Sequence, residues 1–503
     1  MIANWIIMIV GMGLLVYLGI KANKIASSDD EAGFLLAGRG FGPFVAAGTI
    51  MATGFSGWCF VGCPGVVYNY GFTELLANFF FALSITAAIL FFGNHLRRRA
   101  GEIGSLTLPE YIRQQHQTSD NQNIGRVVQG LAASINIVLM IVFMVAQTKA
   151  LGLVCSSWLG ISFTMAGILM LLIIVAYTAT GGLAAVAWTD VIMVIGMAIG
   201  CIVIMFQIFG DISLGQLVAK MNEINPELVN PTSGRPYGAP KIGPFLVAPY
   251  AFMFAAVLPY MCVRFLAVRK NVKWRHIAAI SVPLGIVLSL IPIVGAYVRV
   301  KVHMGVIPAL ASPDLAMPVY LSNFLPGIIA GIISLFIVFA MGSTADSILQ
   351  VLSASVSHDL RKAITGKTQH SPRTILIINR SAVVVMGVLG FGAMLLAPPA
   401  YLNFISILGT GTLQAAMAGP VFIGTFWRGN SIGAIVSMLG GAISTAYLLL
   451  QTDLGWVASP LIGDVIGIFL YFAATKLTLG VCPRREDVPR SEAITAKPEK
   501  SLA

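Results

Sequence analysis

The stretch GTIMATGFSGWCFVGCPGVVYNYG, Gly48–Gly71, is apolar enough to lie in a lipid bilayer, yet it is poor material for an unbroken helix. Gly54 and Gly57 flank Phe55 and Ser56 near its middle, and Gly62, Pro64 and Gly65 follow. In a helix interior Gly costs about 1 kcal/mol and Pro about 3 kcal/mol relative to Ala. A helix that breaks at membrane depth exposes free carbonyl and N–H groups. These are tolerated only where they line a cavity or hold a ligand. The other reading is a kinked helix whose glycines permit close packing.

The rest of the chain makes lipid its solvent. Of 503 residues, 57% are hydrophobic and 10% charged, whereas soluble domains carry about 25% charged residues. The apolar runs are roughly 20 residues long and do not alternate, which selects helices over a barrel. Thirteen spans are expected, at 3–21, 42–69, 72–93, 126–150, 158–180, 185–209, 244–267, 277–299, 325–357, 375–397, 401–426, 431–450 and 457–476. The first run, WIIMIVGMGLLVYLGI, lacks a basic flank and a cleavage site and reads as a retained span. The expected organisation is a first span and loop (1–41), a core (42–426), two additional spans (427–479) and a polar, disordered tail (480–503).

Charge orients these spans. With the N-terminus outside, 25 of the 31 Lys and Arg fall in cytoplasmic segments and six on the other side. That asymmetry places the C-terminus in the cytoplasm and accounts for the net charge of +11, so no nucleic-acid partner is needed to explain it. Five of the six cysteines lie in or beside apolar spans. Cys59 and Cys63, four apart, read as small packing residues, since no histidine or second cysteine pair accompanies them. The six histidines form no hydrolase or metalloprotease pattern, and the sequence carries no sign of enzyme chemistry or of an organic cofactor.

A second interrupted helix follows about five spans after the first. FLVAPYAFMFAAVLPYMCVRF contains Pro249 and Pro259. Two broken helices at corresponding places in two halves point to an inverted-repeat transporter, here 42–210 and 243–426. A third stretch, FAMGSTADSILQ, sets Ala340, Ser343, Thr344 and Ser347 at i, i+3, i+4 and i+7, on one helix face. Such hydroxyls, joined by free carbonyls near Ala52 and Phe55, make an oxygen shell of about five ligands for a hard monovalent cation. Alternatively, the hydroxyls bond back to the preceding turn. Asp190 and Asp346 are acids at or near membrane depth and so candidates for function, although Asp190 also suits a brace at the Gly181-Gly182 turn. Asp464 lies outside the expected core. Gln147 and Lys149 lie near the outer end of the fourth span, where Lys149 either attracts an organic anion or snorkels to the surface.

The stretches 52–71, YTATGGLAAVAWTDV (177–191) and FAMGSTADSILQVLSASVSHDL (339–360) together resemble the sodium:solute symporter family, with LPYMCVRFLAVR (258–269) in support. The resemblance covers nearly the whole chain. It implies an all-α fold of about thirteen membrane helices with a LeuT-type core of five plus five helices and two broken helices. It also implies sodium-coupled uptake of a small organic solute, with Na⁺ as coupling ion and the carbonyls of Ala52, Phe55 and Ala340 and the hydroxyls of Ser343 and Thr344 as its ligands. Asp190, with Asp346 and Ser347, would form a sodium path or second cation site, and the acid at 346 departs from relatives that carry hydroxyls there. Proline symporters carry an Asp where this chain has Gly54, and an aromatic, Trp-containing segment where this chain has PYAFMFAAVLPY. The segment 306–326 and Gln147 are closer to pantothenate-type members, so an organic anion such as pantothenate is expected ahead of proline or another amino acid. Expected solute-lining residues are Ser56, Trp58, Gln147, Tyr250, Phe254 and Gln414. A bacterial inner membrane is the expected location, and a functional monomer suffices. The alternatives are a proton-coupled carrier acting through Asp190 or Asp346, an ion channel, for which no filter signature is present, and a sensor, for which the tail leaves no room.

Overall fold

The computed structural model describes residues 2–26, 30–118, 121–366, 371–397 and 401–485. Residues 486–503 of the expected tail lie outside that range. In chain order the principal helices are α1 (Ile2–Ala26), α2 (Glu31–Leu36), α3 (Pro43–Gly54), α4 (Trp58–Tyr70), α5 (Thr73–Ile103), α6 (Leu108–His116), α7 (Gln122–Leu159), α8 (Phe163–Asp211) and α9 (Leu214–Ile224). There follow α10 (Gly243–Val257), α11 (Pro259–Leu266), α12 (Trp274–His303), α13 (Ala316–Asn323), α14 (Gly327–Thr365), α15 (Pro372–Leu396), α16 (Leu402–Phe426), α17 (Ser431–Gln451) and α18 (Ala458–Leu477).

Ten helices are long and apolar enough to cross a membrane, and two bent pairs, α3 with α4 and α10 with α11, bring the number to twelve. The pairs bend by 48° and 59°. At 49 residues α8 is too long for one crossing, since at 1.5 Å per residue it would run about 73 Å against a core of about 30 Å. Gly182 divides it, at φ 55° and ψ −153°. With that division the described helices amount to the thirteen crossings expected, in the expected places. The spans at 72–93, 126–150 and 325–357 extend further than expected, as Thr73–Ile103, Gln122–Leu159 and Gly327–Thr365.

The polarity of the molecule suits a lipid solvent. Large apolar side chains such as Phe206, 77% exposed, face outward. Buried polar residues collect inside, on α3, α8, α14 and α16. The helix α14 packs against α7, α8 and α3, and α16 packs against α7. The last two spans, α17 and α18, form a hairpin laid against α16. A short β-bridge links the two broken helices outside the helical layer: Phe41 N–H donates to the Ala267 carbonyl at 3.0 Å, and Arg269 N–H donates to the Phe41 carbonyl at 3.0 Å.

Beyond the spans, on the side that carries the positive loops, ionic contacts tie α2, α6 and the end of α14 together. His358 stands between Glu31, at 2.8 Å, and Glu110, at 3.1 Å. Arg361 lies 3.3 Å from Glu31 and Lys362 lies 3.0 Å from Glu110. Burial alone would raise both carboxyls, but His358, with Lys362, draws Glu110 well below the usual carboxylate range and Glu31 below it.

Two outcomes follow for stability. A Cβ at Gly182 would stand 2.5 Å from the Phe34 carbonyl in a backbone conformation L residues avoid, so Gly182→Ala should cost about 1–3 kcal/mol. Gly210, with open space around it, should accept Ala within about 1 kcal/mol; detergent melting curves compare the two. A depressed carboxyl contributes stability that is present above the ordinary pKa and lost as pH falls. Glu110→Gln should therefore melt below wild type at pH 7, by about 2–4 °C, and the gap should close as pH drops below 4.5.

Candidate functional site

The break in α3/α4 is built from its own residues. Helix α3 ends at Gly54, and Phe55 turns out of helical geometry at φ −91°, ψ 82°. The chain resumes at Trp58 as a π-helical turn over 58–62. The freed donors find new acceptors. Trp58 N–H donates to Ser56 Oγ at 3.1 Å, and Gly57 N–H donates to Gln147 Oε1 at 3.0 Å. Gly57 is required here by space: a Cβ would meet Met341 Cγ at 2.8 Å and Gln147 Oε1 at 2.9 Å. The second break falls at Leu258, extended at ψ 129°, with Pro259 opening α11.

Helix α14 crosses the first break with its hydroxyl face inward. Ser343 Oγ lies 3.0 Å from the Ala52 carbonyl and 3.1 Å from the Ala340 carbonyl. Thr344 Oγ1 donates to the Thr53 carbonyl at 3.1 Å. Ala52, Phe55, Ala340, Ser343 and Thr344 are all fully buried. The structure thus brings Ala52, Ala340 and Ser343 together around one oxygen, sets Thr344 beside them and places Phe55 at the turn. Thr53 joins them, a residue that the spacing along α14 did not single out.

One turn further along α14 the expected second group also assembles. Ser347 Oγ lies 3.3 Å from Thr53 Oγ1 and 3.0 Å from Asp346 Oδ1. Tyr177 O–H donates to Asp346 Oδ2 at 2.8 Å. Asp190 Oδ2 accepts from Thr49 at 2.5 Å and lies 3.4 Å from Thr53. A cation stands among them. Arg264 on α11 places Nη2 3.2 Å from Asp190 Oδ2 and Nε 2.9 Å from Thr49 Oγ1. It also bonds Ser347 Oγ and the Tyr260 carbonyl. Arg264 is one of the 25 basic residues expected in cytoplasmic segments; the structure buries it completely. Asp190 faces α3 and Arg264, rather than serving only to brace the Gly182 turn. The signal for Arg264 was a charged residue inside an apolar helix, next to a Pro-induced break.

The expected solute-lining residues divide. Trp58, Tyr250 and Phe254 meet in one aromatic cage with Phe81: ring centroids lie 5.0 Å (Trp58–Phe81), 6.3 Å (Trp58–Tyr250) and 6.0 Å (Trp58–Phe254) apart. Ser56 and Gln147 flank it through the backbone bonds above. Gln147 Nε2 and Trp58 Nε1 are buried donors without a partner among the described residues. Gln414 turns to α18, donating through Nε2 to Asp464 Oδ2 at 2.7 Å. Thr410, one turn earlier on α16, meets the Tyr250 hydroxyl at 3.0 Å. Asp464, set outside the core on sequence grounds, is therefore buried and joined to it. Glu74 was missed. It is 2% exposed, accepts from the Tyr237 hydroxyl and shares a narrow pocket with Trp58, Asn78 and Phe81. An acid in the first turn of a span was its only trace in the sequence. Lys149 acts on Asp314, a loop carboxyl that burial pushes up to about 6 against the pull of that lysine.

Known proteins share this architecture. The sodium:solute symporter family profile matches residues 34–441. The sodium/proline symporter 2 of Staphylococcus saprophyticus is 25% identical over 464 residues, covering 88% of this chain and 85% of the relative. The sodium/proline symporter of Staphylococcus aureus is 25% identical over 492 residues, covering 93% and 90%. Among solved structures, a Na⁺-coupled sialic acid symporter in a substrate-bound outward-open state superposes with a TM-score of 0.77 at 17% identity, covering 94% of this chain and 98% of that one. A nucleobase-cation-symport-1 family transporter in a closed conformation superposes at 0.58 and 18%, covering 91% and 96%. The fold is the LeuT-type inverted repeat that these transporters share. With the family match spanning most of its length, this membrane protein belongs to the sodium:solute symporter family, and its coupling ion is sodium.

Proposed function

We propose that the chain takes up a small carboxylate solute together with Na⁺, the ion held where α14 crosses the broken α3/α4 helix. The ion's ligands in this reading are the Ala52, Phe55 and Ala340 carbonyls and the Ser343 and Thr344 hydroxyls. One observation carries it: the Ser343 hydroxyl sits between two carbonyl oxygens, Ala52 at 3.0 Å and Ala340 at 3.1 Å, one from each helix. A hydroxyl in that position turns its proton aside and offers a lone pair when a cation enters. An ion so held ties the break to α14, and solute binds beside an ordered break. Sodium and solute then raise each other's affinity by the same factor.

For the solute, the cage of Trp58, Tyr250, Phe254 and Phe81 gives an apolar body a place to pack. The unpartnered donors Gln147 Nε2 and Trp58 Nε1 suit a carboxylate. Proline and pantothenate both carry one. The relatives, sodium/proline symporters, favour proline, and the segment 306–326 with Gln147 favours pantothenate. The charge asymmetry of the loops supports an N-terminus outside and a C-terminus in the cytoplasm. The two repeats, 42–210 and 243–426, rock about the ion site to alternate access.

The test is uptake of labelled proline and of labelled pantothenate into cells or proteoliposomes, in sodium and in potassium. Uptake of one of them should require sodium. The double variant Ser343→Ala, Thr344→Ala should raise the sodium needed for half-maximal uptake by about tenfold or more, equivalent to about 1.4 kcal/mol. Unchanged sodium dependence in that variant would overturn the ion assignment, and sodium-dependent uptake of neither compound would overturn the solute class.

A further inference from the structure

We propose that Asp464 on α18 is a resident proton site: its carboxyl stays protonated through the transport cycle, and the acid–amide pair it forms with Gln414 sets the wall of the aromatic cage. The proposal takes that cage as the solute site, as above, and concerns an acid to which the transport reading gives no part.

Asp464 lies inside the span, about 9 Å along α18 from its first residue. It is 4% exposed, and Gln414, at the middle of α16, is fully buried. The two helix backbones nearly touch. A Cβ at Gly463 would stand 3.1 Å from the Ala415 Cβ, and one at Gly467 would stand 2.8 Å from the Ala415 carbonyl oxygen. Among the described residues Asp464 has no ion pair. The Tyr250 hydroxyl on α10 is the titratable group within its electrostatic reach, and Thr445 of α17 packs on the adjoining Gly463. Neither supplies a positive charge.

The hydrogen bonds require one more proton. Asp464 Oδ2 accepts from Gln414 Nε2 at 2.7 Å. Asp464 Oδ1 and Gln414 Oε1 are both buried without a partner among the described residues. An ionised carboxylate and an amide oxygen only accept, so as drawn these two atoms have nothing to give each other. A proton on Oδ1 makes it a donor, and Gln414 Oε1, on the same amide, is the acceptor at hand. Turning the amide over would set oxygen against Oδ2, a contact that needs the proton as well. A carboxyl buried without a counter-charge takes up a proton in preference to staying ionised, whereas Asp190, with a guanidinium 3.2 Å away, has its counter-charge.

The pair reaches the cage through α16. Thr410 and Gln414 stand four residues apart and share one helix face. The Thr410 hydroxyl donates to the Ser406 carbonyl at 2.7 Å, so it is the Tyr250 hydroxyl that donates to Thr410 Oγ1, at 3.0 Å. Tyr250 in turn meets Trp58, with ring centroids 6.3 Å apart. By fixing the rotation of α16, the Asp464–Gln414 pair fixes where the Tyr250 ring stands. Asp464 is thus a positioning residue, and its proton, unlike a coupling ion, has no need to leave in the cycle.

The experiment pairs infrared spectra of the purified full chain with uptake in proteoliposomes. Wild type should show a protonated-carboxyl C=O band that is missing from Asp464→Asn. The band should persist from neutral to mildly alkaline pH, and in sodium as in potassium. Asparagine offers the same donor and acceptor as the protonated acid, so Asp464→Asn should take up labelled proline or pantothenate with the KM of wild type. Asp464→Ala leaves Gln414 unpaired and should raise KM roughly tenfold, about the worth of one hydrogen bond, with little change in maximal rate. Absence of the band in wild type, its loss at mildly alkaline pH, or a folded Asp464→Asn protein that has lost uptake would each overturn the proposal. If Asp464→Ala does not fold, the band and the Asn variant decide. If wild type takes up neither solute, the solute reading fails, and the band by itself decides whether Asp464 holds a proton.

Discussion

Backbone groups that leave a helix inside a membrane have no water to turn to, and the centre of this protein is arranged around that constraint. The break at Gly54–Gly57 releases donors and carbonyls at the middle of a span. The donors are taken up by Ser56 and Gln147. The carbonyls of Ala52 and Thr53 are met by Ser343 and Thr344 from α14. A break that would be costly by itself becomes the floor of the proposed ion site because a second helix brings hydroxyls to it. The same pairing makes the site conditional: it exists only while α3 and α14 are in contact, which is the property an alternating-access carrier requires.

Charge inside the bundle follows a related rule. Buried ions persist when they are paired and hydrogen-bonded on every side. Arg264 satisfies that rule through Asp190, Thr49, Ser347 and the Tyr260 carbonyl, and Asp190 meets it at Oδ2 through Arg264 and Thr49. The pair ties four helices across the bundle. Outside the spans a second set of charges, around His358, ties α2 and α6 to the end of α14. The helix that carries the Ser343 and Thr344 hydroxyls is thus held at two further levels, at Arg264 through Ser347 and at Glu110 through Lys362. A transport cycle that separates α14 from α3 has to loosen or carry along both.

The aromatic cage is built differently. Aromatic rings supply shape, and few polar groups supply direction. Trp58 comes from one broken helix and Tyr250 with Phe254, one turn apart, from the other, and the rings meet across the two. Gln414 was expected at the cage and instead bonds Asp464 on the last span, so the helices outside the ten-helix core support it from behind. Glu74 occupies the outer margin of the cage, under the loop that carries Tyr237.

The sequence by itself determined the solvent, the number of crossings, the two breaks and the face of α14 that carries Ala340, Ser343, Thr344 and Ser347. Each of these is a local property: apolar run length, the cost of Gly and Pro in a helix, and a 3.6-residue period. Only the tertiary structure decided which charges meet. Asp190 and Arg264 are 74 residues apart, and Thr53 and Ser347 are 294 apart. Nothing in their neighbours marks them as partners, and Arg264 stands just before a basic loop, Arg269, Lys270, Lys273 and Arg275, in the chain. Pairing at that range is selected by the packing of whole helices, since in a lipid solvent a buried charge is stable only where another element brings its counter-charge.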